Sequence, residues 1–282
     1  MVSSQEPAPA GVDSLISSHL DLLRRLPDCR YQYLDKATNV TNDVESSSAK
    51  LFEFCKLGDC FYIKAHWGTD AKSGICSMVA YDGKTFYDLD HSGNLQIASS
   101  SRDMAHVFSS YLLRSPLYAP FHLLASADLT EFRLPEILTA QSWAKNLTGV
   151  EVTAAASKDG ISEVTWSKPD VDISWQISLK DQVPVKAVGT WKGLDTEWAV
   201  ARSERIPWIS ERFAMPLEVK QVWKDKASKK PVSFYSAEVI AGSLEKVANL
   251  PIQTFQIPRS TAKVIYDLDF DTELTKQELI RK

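Results

Sequence analysis

Long apolar runs are missing from this sequence of 282 residues. The longest, such as 78–81 and 198–201, fall far short of the roughly 20 residues that a membrane-spanning helix requires. An excess of basic residues is also missing, because 32 Lys and Arg stand against 36 Asp and Glu and the net charge is −4. Binding to nucleic acid depends on cationic side chains that neutralise phosphates. The composition therefore excludes a transmembrane helix and argues against a nucleic-acid partner.

Catalytic motifs are missing as well. The sequence has no Gly-x-Ser-x-Gly, no His-x-x-x-His and no Walker-type loop, and no nucleophile signature stands beside His19, His106 or His122. An acidic run near the C-terminus has alternating spacing, but it lacks the central glycine of a calcium loop. We therefore expect no enzyme activity, no cofactor and no metal site. An enzyme that uses an apolar cavity without a metal remains an alternative.

Residues 1–11 are small, polar and rich in proline, which predicts a flexible lead-in. They lack the charged start and apolar stretch of a signal peptide, so either the protein is cytoplasmic or a signal has been removed. The rest of the chain has no repeat of fixed period and no linker. We expect residues 12–282 to form a single domain.

The order of predicted elements indicates the fold class. Apolar residues at helical spacing predict an amphipathic helix over 12–26, and a block of short helices is predicted within 100–142. Period-two patterns surround that block, at 29–35, 49–56, 60–67, 75–81 and 84–89 before it, and at 149–155, 161–166, 172–179, 184–191, 197–205, 216–223 and 231–240 after it. Without β-α-β alternation, this order predicts a mainly β (α+β) fold, in which one antiparallel sheet of about eleven strands curls against the helices.

Alternation places rings and aliphatic side chains on one face of these strands. A concave face of this kind suits an acyl chain, because each buried methylene contributes roughly 0.8 kcal/mol. The predicted ligand-binding residues, including one from the helical block, are Tyr31, Tyr33, Phe52, Phe54, Phe61, Ile63, Trp67, Phe108, Trp175 and Trp191. The alternative is a solid core, because protein interiors are normally close-packed.

The spacing of two cysteines bears on the compartment. Cys55 and Cys60 flank four residues between two predicted strands, and a four-residue turn would place them directly opposite each other. We predict a disulfide between them, with free thiols and a metal site as alternatives, and a bridge between Cys29 and Cys76 follows only by exclusion. A disulfide would indicate an extracytoplasmic location, periplasmic or secreted.

A cluster of lysines marks another predicted hairpin. Lys224, Lys226, Lys229 and Lys230 surround one acid, Asp225. Such a basic tip could contact an anionic surface. More often, lysines of this kind only protect the edge of a sheet in solvent.

The element order, with the hairpin Tyr81-Asp82-Gly83-Lys84-Thr85-Phe86-Tyr87 in mid-sheet, resembles the periplasmic lipoprotein carriers LolA and LolB. The C-terminal segments 247–257 and 264–267 are similar to those of the larger LolA-like proteins of planctomycete-type bacteria, which carry an Asn and an Ile, a Phe strand and a closing Val-x-Asp. The resemblance implies an incomplete barrel whose concave face is covered by helices, with a lipid or acyl chain bound between them.

These observations predict a monomeric extracytoplasmic protein that binds or carries a hydrophobic ligand, either a lipid or the acyl chains of a lipoprotein. The alternative is an interaction module with a filled core, which would act through an exposed sheet edge or the basic hairpin tip.

Overall fold

A computed structural model describes residues 26–41, 44–99, 115–117, 151–181, 183–209, 214–269 and 272–275. Within these ranges the helices are three short 3₁₀ turns, at Ala71–Ser73, Ile252–Phe255 and Arg259–Thr261. None of them has the length and hydropathy to span a membrane. The helices predicted over 12–26 and within 100–142 lie outside the described residues, so helices that cover the concave face are not supported.

One sheet contains all the described strands. The first group is β1 (Cys29–Thr41), β2 (Val44–Leu57), β3 (Cys60–His66), β4 (Ile75–Tyr81), β5 (Thr85–Leu89) and β6 (Asn94–Ser99). The second is β7 (Glu151–Lys158), β8 (Ile161–Lys168), β9 (Val171–Ser178), β10 (Val183–Trp191), β11 (Leu194–Arg205), β12 (Ala214–Asp225) and β13 (Pro231–Val239). Three short strands follow, β14 (Glu245–Lys246), β15 (Val264–Asp267) and β16 (Thr272–Thr275).

The two groups meet at the centre of the sheet, where β1 pairs with β13 and Tyr33 lies opposite Val239. The order is β16-β15-β6-β5-β4-β3-β2-β1-β13-β12-β11-β10-β9-β8-β7, with β14 beside β1, so the two edges do not pair with each other. The predicted mainly β, curled and incompletely closed sheet is confirmed. It has sixteen strands instead of about eleven, because the prediction did not include β6 and the three short strands after β13.

The first half of the sheet, β1 to β6, is largely buried on both faces, except at the outer part of the β1–β2 hairpin. Its inner face carries the rings predicted from alternation, whereas its outer face lies under the chain that follows β14. We call residues 247–265 the C-terminal strap. Phe255 of the strap packs on Tyr62 with ring centroids 5.9 Å apart, and the Gln256 amide donates to Asp82 Oδ2 (2.7 Å). The strap ends in β15, which pairs with β6 in parallel, the one parallel ladder among the described strands.

The second half, β8 to β13, follows the simpler pattern of a sheet with one wet face. In β8 every second residue is buried, and Val164 and Trp166 are fully inside. On the other face of this half, ion pairs join neighbouring strands, such as Lys186 with Glu197 (2.7 Å). Alternation predicts such strands well, because their two faces differ in polarity.

The predicted disulfide is wrong. The β2–β3 hairpin turns on only two residues, Gly58 and Asp59, so Leu57 lies opposite Cys60 and Cys55 lies opposite Tyr62. Gly58 makes this tighter turn possible, because its φ is +57° and glycine adopts positive φ without strain. All four cysteines are free.

Candidate functional site

The inner face of the curled sheet carries one continuous apolar cluster, which we call the inner-face cluster. In the first half its rings stack across strands, with Tyr33 5.1 Å from Phe52 and Tyr31 5.0 Å from Phe54 between centroids. In the second half the rings of Trp166 and Trp175, also buried in this cluster, lie 4.8 Å apart. Such ring pairs stabilise the fold by more than the burial of their apolar area alone.

Most of the predicted ligand-binding residues come together in this cluster. Seven of them are buried there, namely Tyr31, Tyr33, Phe52, Phe54, Phe61, Ile63 and Trp175. Trp191 is half-buried against the cluster and packs on Trp223, with centroids 5.6 Å apart. Phe108 lies outside the described residues.

Trp67 does not reach the inner face, and 60% of its surface is exposed. The register between β3 and β4 shifts between Ala65 and His66, and β3 ends at His66. Trp67 then belongs to a loop that its own N–H closes by donating to the Gly74 carbonyl (3.1 Å). Alternation gave the wrong side for Trp67, because the period of two holds only within a strand and β3 ends one residue earlier.

A buried acid on the inner face was missed in the sequence. Asp88 lies beside Val79 of the cluster in the β4–β5 ladder and is only 7% exposed. Its Oδ1 has no hydrogen-bond partner among the described residues. Burial raises the pKa of Asp88 to about 7, and the negative charge of Asp90 acts in the same direction. The alternation of Phe86 and Asp88 in β5 could have revealed this carboxyl.

Two other polar contacts interrupt the apolar face. The Gln221 amide donates to Thr196 Oγ1 (3.2 Å), and both side chains are buried. The Tyr31 hydroxyl lies 2.5 Å from Ser115 Oγ, which anchors the described segment 115–117 to the sheet and places Leu117 within the cluster. Because buried polar groups normally need partners, these pairs satisfy the polar atoms at little cost.

The inner face reaches solvent at one end, through a cavity of about 270 Å³ that we call the end cavity. It lies between the loop after β11 and the loop after β13. Its apolar wall continues the inner-face cluster, and its lining residues are Arg202, Glu204, Ile206, Trp208, Leu217, Val239, Ile240, Ala241, Gly242 and Leu244. Trp208 and Ile240 are both more than a third exposed, so two apolar side chains reach solvent at the mouth, beside the charged Arg202 and Glu204.

Hydrogen bonds hold the wall of the end cavity in place. The Ile240 N–H donates to the Gln32 carbonyl (2.9 Å), and the Gln32 N–H donates to Ser243 Oγ (3.0 Å). The turn after β13 is therefore tied to β1. At the rim, Arg202 donates to Glu238 (3.2 Å), and both side chains are exposed to solvent. An exposed pair of this kind contributes only about 0–1 kcal/mol, so Arg202 can exchange its partner at little cost.

The predicted basic tip is the turn between β12 and β13. There Lys229 pairs with Asp195 (2.7 Å), and Asp225 accepts from both the N–H and the hydroxyl of Ser228. Lys224 and Lys229 line a shallow groove of about 390 Å³ that also contains Asp195 and Glu197. Carboxylates thus balance part of the positive charge, and contact of Lys224, Lys226, Lys229 and Lys230 with an anionic surface stays a prediction.

Metal ligands do not gather within the described ranges, where no three His, Cys, Asp or Glu side chains approach one another closely enough to hold an ion.

The end cavity, like Asp88, is a feature that the sequence did not indicate. Its lining residues come from three separate parts of the chain, and the β11–β12 and β12–β13 pairings bring the loops at 206–209 and 240–244 together. Residue types at these positions carry no recognisable motif.

No family model and no curated protein matches the sequence. Solved structures similar to this chain include a LolA superfamily protein from Nitrosomonas europaea, with 10% identity and a TM-score of 0.47 over 88% of this chain and 98% of that one. A DUF1329 family protein from Desulfovibrio piger has 12% identity and a TM-score of 0.44, covering 88% and 96%. An outer membrane lipoprotein-sorting protein domain from Vibrio parahaemolyticus has 8% identity and a TM-score of 0.45, covering 87% and 95%.

Two of these structures carry names of the kind that the sequence resemblance suggested. All three TM-scores lie below 0.5, so these proteins fix neither the function of this chain nor the role of any residue.

Proposed function

We propose that the protein binds an apolar ligand, the acyl chain of a lipid or of an acylated protein, and carries it outside the cytoplasm. The end cavity is the observation that supports this proposal. It offers solvent access to an otherwise buried apolar face, and exposed Trp208 and Ile240 stand at its mouth. Large exposed apolar side chains beside a cavity commonly mark a binding site.

The chemistry of the lining fits an acyl chain. Leu217 and Val239 form a wall that continues the inner-face cluster, and each methylene buried against it contributes roughly 0.8 kcal/mol. At about 270 Å³ the end cavity lies just below the roughly 300–1,000 Å³ of typical small-molecule sites. It therefore has room for the end of one chain, and a longer chain would have to displace side chains of the cluster.

The rim suits a polar head group, because it carries charges of both signs. Arg202 and Glu204 line the end cavity, whereas Glu238, the exposed partner of Arg202, is not part of the lining. A carboxylate or phosphate at the end of the ligand could replace Glu238, since guanidinium binds both groups through paired hydrogen bonds. The proposal assigns binding to this site and no catalytic step.

An extracytoplasmic location is part of the same proposal, although no disulfide supports it. Burial raises the pKa of Cys29 to about 12 and that of Cys55 to about 11. The thiolate is the form that oxidants and disulfides attack, so these raised values keep the buried cysteines unreactive. Free thiols can then persist in an oxidising compartment.

Filling the end cavity tests the proposal. Ala241→Trp places a ring in the mouth at an exposed position, so the fold has little reason to change. We expect this variant to bind a fluorescent fatty acid at least about tenfold more weakly than the wild type, which equals the loss of roughly two methylene contacts. Fluorescence titration measures the affinity, and mass spectrometry of a lipid extract identifies any lipid that co-purifies.

Ala248→Trp is the matched control, because Ala248 is also exposed and does not line the end cavity. It should bind the fatty acid like the wild type. A wild type that takes up no fatty acid and yields no lipid would overturn the proposal. Equal affinities of the wild type and Ala241→Trp would place the ligand elsewhere and also refute it.

A further inference from the structure

The β1–β2 hairpin extends well past β3. Strand β2 pairs with β1 from Val44 to Lys56, whereas β3 covers only residues 52–57 of β2. Residues 44–50 are thus a strand edge in the middle of the sheet. All of them are exposed except Ala49, which is half-buried.

The backbone groups on this edge follow from the hairpin. Leu57 and Cys60 flank a two-residue turn and form a hydrogen-bonded pair, after which every second residue of β2 directs its N–H and C=O toward β3. Leu51 fits this series, because its N–H donates to the Gly68 carbonyl (2.9 Å). The next members, Ala49, Ser47 and Glu45, direct the same groups toward a side where no described residue pairs with them.

The sequence of this edge guards it only weakly against pairing. Natural sheets protect edges with proline, bulges or charged side chains, lysine above all. Residues 44–50 contain no proline, their charged residues are Glu45 and Lys50, and the β1–β2 ladder is regular along its whole length. Three consecutive serines at 46–48 leave the edge open to close approach.

We propose that a second copy of this chain pairs with the free edge of β2, antiparallel and with Ser47 opposite Ser47 of the second copy. This register places Glu45 opposite Ala49, so all three edge-directed residues of each copy meet a partner that also faces the edge. An extended strand of another protein could use the same backbone groups, but the pattern of charge and apolar residues favours self-pairing.

Charge selects the register. Centring the pair on Glu45 would set two carboxylates directly opposite each other, which is unfavourable in a sheet. Centring it on Ser47 instead puts Glu45 beside Ala49 of the other copy, whose own neighbour across the β1–β2 ladder is Lys36. A negative and a positive side chain then share one face across the interface, twice by symmetry.

Two exposed apolar side chains lie at the two ends of the free edge, and the proposed dimer would bury both of them. Val44, at the tip of the hairpin, is 68% exposed, and Trp67, in the loop where the free edge stops, is 60% exposed. In an antiparallel pair the tip of each copy reaches the loop of the other. The two-fold axis therefore brings Val44 against Trp67 of the second copy at both ends, which accounts for two of the largest apolar exposures among the described residues.

Sedimentation equilibrium of the full chain tests the proposal. The wild type should show a concentration-dependent mass that rises from 31.5 kDa toward twice that value. Ser47→Pro removes an N–H that only the dimer uses, and proline is tolerated at such an edge position, so this variant should remain a monomer at every concentration. Ser47→Ala keeps the N–H and should dimerise like the wild type.

Changes of charge at positions 45 and 49 test the register of the dimer, and a rescue by the second change shows that the variants are folded. Ala49→Glu faces Glu45 of the second copy, and we expect the dissociation constant to rise roughly 2- to 30-fold from two like-charge pairs. Within one chain the new carboxylate lies beside Lys36, which favours the fold. Adding Glu45→Lys to this variant should restore an affinity within about threefold of the wild type.

A wild type that stays a monomer at all concentrations would overturn the proposal. A dimer that Ser47→Pro and Ala49→Glu leave unchanged would also overturn it, since that dimer would use another surface.

Discussion

The two halves of the sheet differ in how many of their faces are buried. In β3 and β4 nearly every residue is buried, because the inner-face cluster lies on one side and the C-terminal strap on the other. In β8 and β9 burial alternates, and the outward residues are polar and in contact with solvent. A run of consecutive buried residues in an antiparallel strand therefore indicates a third layer, whereas strict alternation indicates two layers.

The largest test of this difference removes an anchor of the strap. Phe255 is 1% exposed and packs on Tyr62, so Phe255→Ala should lower the free energy of unfolding by about 3–5 kcal/mol. On the outer face of the second half, Val222→Ala should cost no more than about 1 kcal/mol, because that side chain is only half-buried. Urea unfolding measures both values. Similar costs for the two variants would remove the distinction between the halves.

A smaller and pH-dependent effect belongs to Asp88, in the half that is covered twice. The folded protein holds the Asp88 proton up to a pKa of about 7, whereas the unfolded chain releases it near the ordinary pKa of 3.8. The unfolded state thus binds fewer protons between about pH 4 and 7, and the contribution of Asp88 to stability falls as pH rises through this window. Relative to Asp88→Asn, the wild type should lose on the order of 2–4 kcal/mol there.

Unfolding of both proteins at a series of pH values measures this difference. Asp172→Asn, at an exposed position of β9, is the matched change in the second half. A constant difference between the wild type and Asp88→Asn from pH 4 to 7 would show that Asp88 is not held in a dry environment.

The smallest effect concerns labelling and leaves stability unchanged. Cys29, Cys55 and Cys76 are buried, and Cys60 is half-buried. Burial and the charges of Asp82 and Asp59 raise the pKa of Cys60, so even this thiol should react slowly with a maleimide in the native protein. After denaturation without reductant all four should react, as mass spectrometry would show. Fewer than four labels would mean that a disulfide forms after all.

The sequence was sufficient to predict the strands in the second half of the sheet and most of the side chains on the inner face. Trp175 stands in a strand of strict alternation, so its side could be read directly. There a local period of two coincides with a difference in polarity between the two faces. Phe52 and Phe54 were also assigned correctly, although Leu51 and Cys55 of the same strand are buried on the other face.

The remaining features depend on contacts that no local pattern encodes. The turn at Gly58 and Asp59 is two residues long although four residues separate Cys55 from Cys60, and the register follows the turn. Trp67 follows the last residue of β3, so the period of two no longer determines its side. No local pattern predicts the burial of Tyr62, because the strap that covers it lies almost 200 residues further along the chain, with Phe255 as its contact. Such long-range packing overrides the local pattern.

The parallel pairing of β15 with β6 also sets an order of events during synthesis. A chain that leaves the ribosome, or a translocation pore, from its amino end exposes the apolar outer surface of β2 to β6 early. The residues that cover this surface, up to Ile265, emerge only after β7 to β14. Until then the nascent sheet exposes both an apolar surface and the unpaired edge of β6. Such features bind chaperones and promote aggregation.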